Sequence, residues 1–325
     1  MPCAWRRVKK TGVNIGNAIR CSRCFSVLIV LLVLLVVATI LSPNFLRVSN
    51  LINVIRQISI NGILAIGMTF VLLTGGIDLS VGSVMGVVAV VVATLHKMGV
   101  SPLITVPVAL LIGVVIGICN GLGITKGKIT PFIMTLATMT AFRGLAFLVA
   151  NGSPVSWRKS GVDFKFLGQG DFLGVPVPVY VFLLVFVIAL IILKYTYFGR
   201  SVYAIGDSRE AARLCGINIF RSEMLVYIIS GLLSALSALV LISRLSVGEP
   251  TAGEGYELDA IAMSVIGGTS VMGGIGGVPG TFIGAALLAV ISNLLNLVGI
   301  SPFIQKIVKG GVIFLAVLMD SRRRK

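Results

Sequence analysis

At 325 residues, 57% of them hydrophobic and 12% charged, with a mean hydropathy of +1.06, the chain has too little polar surface for a water-soluble globule. Lipid is its main solvent, and there every backbone N–H and C=O must be paired within the structure, so the spanning elements are helices or the strands of a closed barrel. A net charge of +16 would suit nucleic acid, but Lys and Arg gather at the ends and in particular loops between apolar runs, the pattern that records membrane orientation rather than a nucleic-acid partner.

The apolar runs choose helices. Phe25 to Leu41, Pro176 to Leu193 and Val278 to Val298 lack the alternation of barrel strands and approach the ~20 residues that a spanning helix needs. The fold class is therefore all-α, a polytopic transmembrane bundle of about ten segments, some short or broken. In chain order they are 25–41, 51–73, 79–95, 102–122, 129–150, 176–193, 222–242, 258–272, 278–298 and 301–319. Residues 1–24 form a basic amino-terminal segment, 25–320 one transmembrane domain, and 321–325 a basic tail. The first run is read as a retained anchor rather than a signal peptide, because its apolar core is long and Ser42-Pro43-Asn44-Phe45 offers no small-residue cleavage site. Cys3, Cys21, Cys24, Cys119 and Cys215 are scattered, and the lone C-x-x-C of Cys21 and Cys24 is read as unpaired thiols, since no second ligand pair exists for a metal.

Seventeen basic residues fall at the ends and in the even-numbered loops, against six in the odd loops. Arg56, Arg143, Lys306 and Lys309 lie within segments. Both termini are accordingly expected in the cytoplasm. The 38 glycines are read as packing residues, with Gly113, Gly117 and Gly121 on one helical face and Gly280 and Gly284 on another. Two glycine-rich stretches, Thr74 to Ser83 and Gly267 to Gly277, should interrupt helices. Irregular backbone at membrane depth is tolerated only inside protein or beside a water-filled cavity, so they point to a permeation path.

Asp78 lies in the first of these stretches. It is read with Ser80 as capping the helix that follows, with direct substrate contact as the other reading. Arg143 either pairs with Asp78 or points into the cavity. His96 is read as a solvated residue at a segment end, and no metal site is expected. The polar stretch from Lys194 to Arg221 contains Gly206 to Gly216, read as a short helix capped by Asp207, with Glu210 completing a capping box and Gly216 as its stop. The Gly127-Lys128 pair is followed by Ile129 and lacks the earlier glycine of a Walker A loop, and neither a Gly-x-Ser-x-Gly nucleophile motif nor a metal-ligand cluster is present, so transport is favoured over enzymatic activity.

Three ordered runs carry a family resemblance. They are Gly67-Met68-Thr69 through Gly75-Gly76-Ile77-Asp78-Leu79-Ser80-Val81-Gly82-Ser83, then Asn151-Gly152-Ser153-Pro154-Val155, and Pro250-Thr251-Ala252-Gly253 through Gly255-Tyr256-Glu257-Leu258-Asp259-Ala260-Ile261-Ala262. With these the chain resembles the ribose-type permeases of bacterial ABC importers over roughly residues 27–320. The resemblance implies a multi-pass homodimer in the bacterial inner membrane, fed with ribose or a related monosaccharide by a periplasmic binding protein. It also implies a separate cytoplasmic ATPase that binds the ATP and Mg, with no cofactor in this chain. Glu210-Ala211-Ala212, three residues and Gly216 match the core of that family's coupling helix, to which Asp207 is assigned as cap. Arg158, Lys159 and Lys165 in one outer loop and Glu249, Glu254 and Glu257 in another are candidates for docking the binding protein. Asn61, Asp78, Ser80, Ser83, Asn120, Thr138, Arg143, Asn293 and Asn296 are candidates for the translocation path. An ion-coupled secondary sugar transporter is the alternative, weakened by the scarcity of deep acids for coupling.

Overall fold

A computed structural model of the chain describes residues 23–157 and 162–322. Arg158, Lys159, the first residue of the C-x-x-C pair and the last three residues lie outside the described residues. The chain folds as α1 (Arg23–Leu41), α2 (Val48–Leu73), α3 (Val81–Lys97), α4 (Pro102–Thr125), α5 (Pro131–Val149), β1 (Val155–Ser156), α6 (Phe166–Gln169), β2 (Asp171–Phe172), β3 (Val175–Pro176), α7 (Val177–Tyr195), α8 (Tyr197–Asp207), α9 (Arg209–Leu214), α10 (Ile219–Leu245), β4 (Val247–Gly248), α11 (Tyr256–Ile266), α12 (Val278–Leu297) and α13 (Pro302–Arg322). Pro102, Pro131, Pro178 and Pro279 each fall in the first turn of their helices, where a missing N–H costs no intrahelical bond.

The all-α expectation holds, short segments included. Among the described residues six helices (α2, α4, α5, α7, α10 and α12) are long and apolar enough to cross a membrane, and the apolar stretches Phe25–Leu41 and Val81–Lys97 are shorter. The expected segment 258–272 is corrected. Only the 11 residues of α11 are helical, about 16 Å at 1.5 Å per residue, or half of a hydrocarbon core of ~30 Å. An irregular stretch of glycines then separates it from α12. The Lys194–Arg221 stretch holds two helices rather than one, since Tyr197–Asp207 precedes the short helix read from the sequence.

α2, α3, α10 and α12 form the interior. In the apolar window of α2, 78% of residues are buried, against 17% in α5, so α5 lies at the periphery of the bundle and α2 does not. α10 packs along α4 and α2, α3 along α5, and α11 and α12 against α2, with α1 outside α12 and α13 against α11. The α4–α10 contact is a glycine seam, as the sequence spacing requires. A Cβ on Gly113 would meet Gly231 O and Ala235 Cβ, one on Gly117 would meet Tyr227 O and Ile228 Cα, and one on Gly121 would meet Met224 Sδ. Gly280 and Gly284 do the same for α11, lying against Gly267 and the Met263 carbonyl.

The two outer loops form one platform. β1 and β4 pair antiparallel, Val155 opposite Gly248, and β2 and β3 form a hairpin. Ser243 Oγ donates to Phe164 O and accepts from the Gly168 N–H at 2.8 Å, while Gln169 Nε2 donates to Arg244 O at 2.7 Å. This platform also corrects the reading of His96. The segment around Trp157 and Phe164 returns over the end of α3 and buries the imidazole completely, edge-on to both rings, with Nε2 at 2.8 Å from Thr105 Oγ1. A segment end looks solvated only while the loop that covers it is out of view.

The seam yields a paired prediction. Gly113→Ala should lower the thermal unfolding midpoint of the detergent-purified protein, with an overpacking penalty of about 1–3 kcal/mol. Gly144→Ala should leave it unchanged or raise it, because the added methyl meets nothing within 4 Å and alanine favours helix. Equal midpoints for the two variants would contradict a close-packed seam.

Candidate functional site

The first helix interruption begins with a glycine-dependent stop. α2 ends as Gly75 N–H bonds Leu72 O and Gly76 N–H bonds Val71 O, with Gly75 at φ 76°, a left-handed conformation that a Cβ would strain. The second interruption repeats the device. Gly268, at φ 91°, donates to Val265 O, and Thr269 N–H donates to Ser264 O. The two meet directly, since Gly274 N–H bonds Leu73 O at 3.0 Å.

Asp78 is the polar hub of the first interruption and is buried, at 1% exposure. Its Oδ1 accepts from Ser80 N–H at 3.0 Å and from Ser80 Oγ at 2.6 Å, and its Oδ2 accepts from Ser230 Oγ on α10 at 2.7 Å. Ser80 Oγ in turn accepts from Asn120 Nδ2 of α4 at 2.8 Å, and Asn120 Oδ1 accepts from Thr138 Oγ1 of α5 at 2.8 Å. One hydrogen-bonded chain therefore links α10, the interruption, α4 and α5. The capping expectation is half corrected. Asp78 does receive the Ser80 amide, but the Ser80 side chain caps nothing, because its φ of −74° and ψ of −15° are already helical. Ser83 Oγ donates to Ser80 O at 2.7 Å.

The other path candidates go elsewhere. Arg143 does not pair with Asp78; its Nη1 donates to Pro250 O at 2.6 Å and Ala252 O at 2.9 Å in the platform loop. Asn293 exchanges two hydrogen bonds with Asn50, at 2.8 and 3.0 Å, and Asn296 Oδ1 accepts from Gln305 Nε2 at 2.8 Å. Asn61 is buried with Oδ1 unpartnered. Two contacts escaped the sequence reading. The hydroxyls of Thr69, Thr281 and Ser264 meet at 2.6 and 3.2 Å where α2, α11 and α12 converge, and Lys309 pairs with Asp259 at 2.7 Å between α13 and α11. Thr and Ser among glycines carried the first signal, and Asp259 with Lys309 in apolar surroundings carried the second.

At the platform Lys165, Glu249 and Glu254 are exposed. Glu257 is corrected as a surface group, for Oε1 accepts Gly255 N–H at 3.1 Å and Oε2 is buried against Gly82 of α3. The glycine at 82 leaves the room that this carboxyl fills.

At the opposite end α9 stands on the surface. Its cap is Ser208, whose Oγ accepts from Ala211 N–H at 3.3 Å; Asp207 is the last residue of α8 and holds no capping position, so the Asp207–Glu210 capping box is corrected. The preceding helix keeps Asp207 in helical geometry, and Ser208 is the first residue free to extend. Glu210 and Ala211 are exposed, Ala212 is buried, and the turn at Gly216 ends the helix. Arg209 pairs with Glu223 of α10 at 2.9 Å, beside an open recess of about 450 Å³ that Thr125, Arg213, Ile217 and Phe220 help to line. Tyr203 of α8 donates to Gly276 O at 3.0 Å, and burial raises its phenol above the ordinary value, so it remains a donor at neutral pH. The platform and the α8–α9 end are separated by the length of α2. Arg56 near its start bonds Asp171 of the platform, and Leu73 at its end meets Gly206 and Gly274, about 26 Å away at 1.5 Å per residue.

The hub predicts a stability effect. Asp78→Asn replaces one acceptor oxygen with a donor facing existing donors, so it should destabilise the folded protein by about 1–3 kcal/mol, read as a lower unfolding midpoint. Asn296→Ala, at an exposed position, should shift it far less.

The sequence model of the family described as "Branched-chain amino acid transport system / permease component" matches residues 50–317. The ribose import permease of Bacillus subtilis is 48% identical over 287 residues, covering 88% of this chain and 89% of its own. That of Escherichia coli K12 is 45% identical over 290 residues, 89% of this chain and 90% of its own. The xylose transport system permease of the same strain is 36% identical, with 86% and 87% covered. No solved structure matches the chain. The two interruptions, the glycine seam and the surface helix all lie within the matched residues, and the chain belongs to this family of transport-system permease components, in the group that contains the ribose import permeases.

Proposed function

We propose that this chain is the membrane-spanning permease of an ATP-binding-cassette importer for a monosaccharide, ribose or a close relative. The observation that carries the reading is the identity of nearly one half, over nearly nine-tenths of the chain, with ribose import permeases. The structure adds a division of labour that suits it. α9 offers exposed Glu210 and Ala211 on a short surface helix that buried Ala212 seats, the turn at Gly216 ends and the Arg209–Glu223 pair braces, a lever suited to a groove on a separate ATPase. The platform at the other end offers Lys165, Glu249 and Glu254 to a sugar-binding protein of complementary charge. ATP and Mg bind the ATPase, and closure of its two halves moves a pair of permease copies between outward- and inward-facing states through differential contacts. In this reading α9 and both termini face the cytoplasm of a bacterial inner membrane, in keeping with the seventeen basic residues on that side.

The hydrogen-bonded chain from Ser230 to Thr138 suits a role in holding the interruption rather than in contacting sugar, because its members are buried and bonded to one another. Asn61, with a buried oxygen in search of a donor, is the better candidate for a sugar hydroxyl.

The test is reconstitution. The chain, its ATPase and its binding protein in vesicles should import labelled ribose only with ATP available to the ATPase, and an uncoupler should not stop it. Uptake that ignores ATP and collapses with the uncoupler would refute the proposal. Glu210→Lys should lower uptake at least about ten-fold, consistent with a repelled or displaced interfacial charge, while sugar affinity of the binding protein is unchanged.

A further inference from the structure

α8 touches both helix interruptions at once. Gly206 packs so closely that an added Cβ would strike Leu73 O, where the first interruption begins, and the amide of Gly274 in the second. Gly273 closes the triangle, for a Cβ there would lie 2.9 Å from both Gly206 Cα and the Gly75 amide nitrogen. The contact is backbone on backbone across three segments, with no side chain between them to absorb displacement. Gly274 N–H to Leu73 O at 3.0 Å ties the two interruptions together, and Tyr203 Oη to Gly276 O at 3.0 Å ties α8 to the second, one turn away from Gly206.

Each interruption also lies against a buried hydroxyl without a partner, Tyr227 Oη of α10 beside Gly76 in the first and Thr269 Oγ1 beside Gly276 in the second. An unmade hydrogen bond in the interior leaves a desolvation cost unrecovered. A rearrangement of the interruptions that supplied an acceptor to either hydroxyl would recover it, so both stretches have a reason to possess a second arrangement.

We propose that Gly206 and Tyr203 are positioning residues that carry the displacement of α9 into both interruptions, so that the two rearrange together as one gate. This rests on the reading of the chain as an ATP-driven permease. α9 follows α8 with only Ser208 between them, and α8 is held at its other end by Gly199 against the Ile192 and Leu193 carbonyls. A push on α9 therefore reaches the membrane first at Gly206, where packed backbone transmits rather than absorbs it.

The experiment measures sugar imported per ATP hydrolysed in vesicles containing permease, ATPase and binding protein, together with stimulation of the ATPase by sugar-loaded binding protein. Tyr203→Phe removes one hydroxyl without changing ring volume. It should lower the import-to-hydrolysis ratio about five-fold, the scale of one lost hydrogen bond, while the unstimulated ATPase rate stays at the wild-type value. Gly206→Ala should lower the ratio further. Wild-type ratios in both variants would overturn the inference, as would a parallel fall of hydrolysis and import caused by loss of ATPase binding. If Gly206→Ala does not fold, Tyr203→Phe decides alone. Uptake by the wild type that ignores ATP would overturn the permease reading and this inference together; ATP-coupled wild-type uptake with unaffected variants would overturn only the relay.

Discussion

Hydrocarbon offers backbone amides no hydrogen-bond partner, so wherever this chain leaves helical geometry it must bring its own. It does so twice by the same means. Gly75 and Gly268 turn left-handed after α2 and α11, and the amides that follow them return to the last carbonyls of the helix. The polar groups still exposed by the first interruption are answered by Asp78, whose two oxygens receive the Ser80 amide and hydroxyl and the Ser230 hydroxyl. The surrounding helices are arranged around that obligation: α10 supplies Ser230, α4 supplies Asn120 and α5 supplies Thr138. The glycine seam between α4 and α10 brings those helices close enough for Asn120 to reach Ser80 while Ser230 reaches Asp78.

This arrangement separates polar residues that fasten from those that remain available. Thr69, Thr281 and Ser264 fasten α2 to α11 and α12, the Asn50–Asn293 pair fastens α2 to α12, and Lys309–Asp259 fastens α13 to α11. In a membrane such bonds replace the hydrophobic force that would hold helices together in water. Among the described residues, buried side-chain atoms remain unanswered near the interruptions, in Tyr227, Thr269 and Glu257, and on α2, in Arg56 and Asn61. A protein that must pass a polar solute between two arrangements has use for groups that one arrangement leaves unpaired.

The two ends of the molecule differ in construction. One is a platform of short ribbons and loops, locked by Ser243, Gln169 and Arg244 to one another and by Arg56 to the start of α2. The other is a pair of helices, α8 and α9, whose inner contact is bare backbone at Gly206. A broad face with exposed charges suits recognition, and a helix pressed on two interruptions suits the delivery of force. α2 spans the distance between them.

Helix positions were legible because membrane helices must be long and apolar, and that requirement is written locally. The stops at Gly75 and Gly216, the seam at Gly113, Gly117 and Gly121, and the two interruptions followed from glycine chemistry within a few residues. What failed, apart from the local misplacement of a cap at Asp207, was whatever depended on a partner distant in sequence. Asp207 looked like a cap until the helix before it claimed that residue, and Glu257 looked like a surface charge until Gly82 received it. Arg143 had two plausible destinations and took a third, the Pro250 and Ala252 carbonyls. His96 looked solvated because Trp157 and Phe164 return to it only in three dimensions. By itself the sequence determined a multi-pass helical bundle with two breaks and a surface helix, since solvent, helix length and glycine conformation act over short stretches of chain, and its ordered motifs added the resemblance to a permease family. Tertiary structure alone decided that the two breaks touch and that α8 rests on both, because a backbone contact between residues 73, 206 and 274 leaves no mark on the sequence except the glycines at 206 and 274 and the space they keep clear.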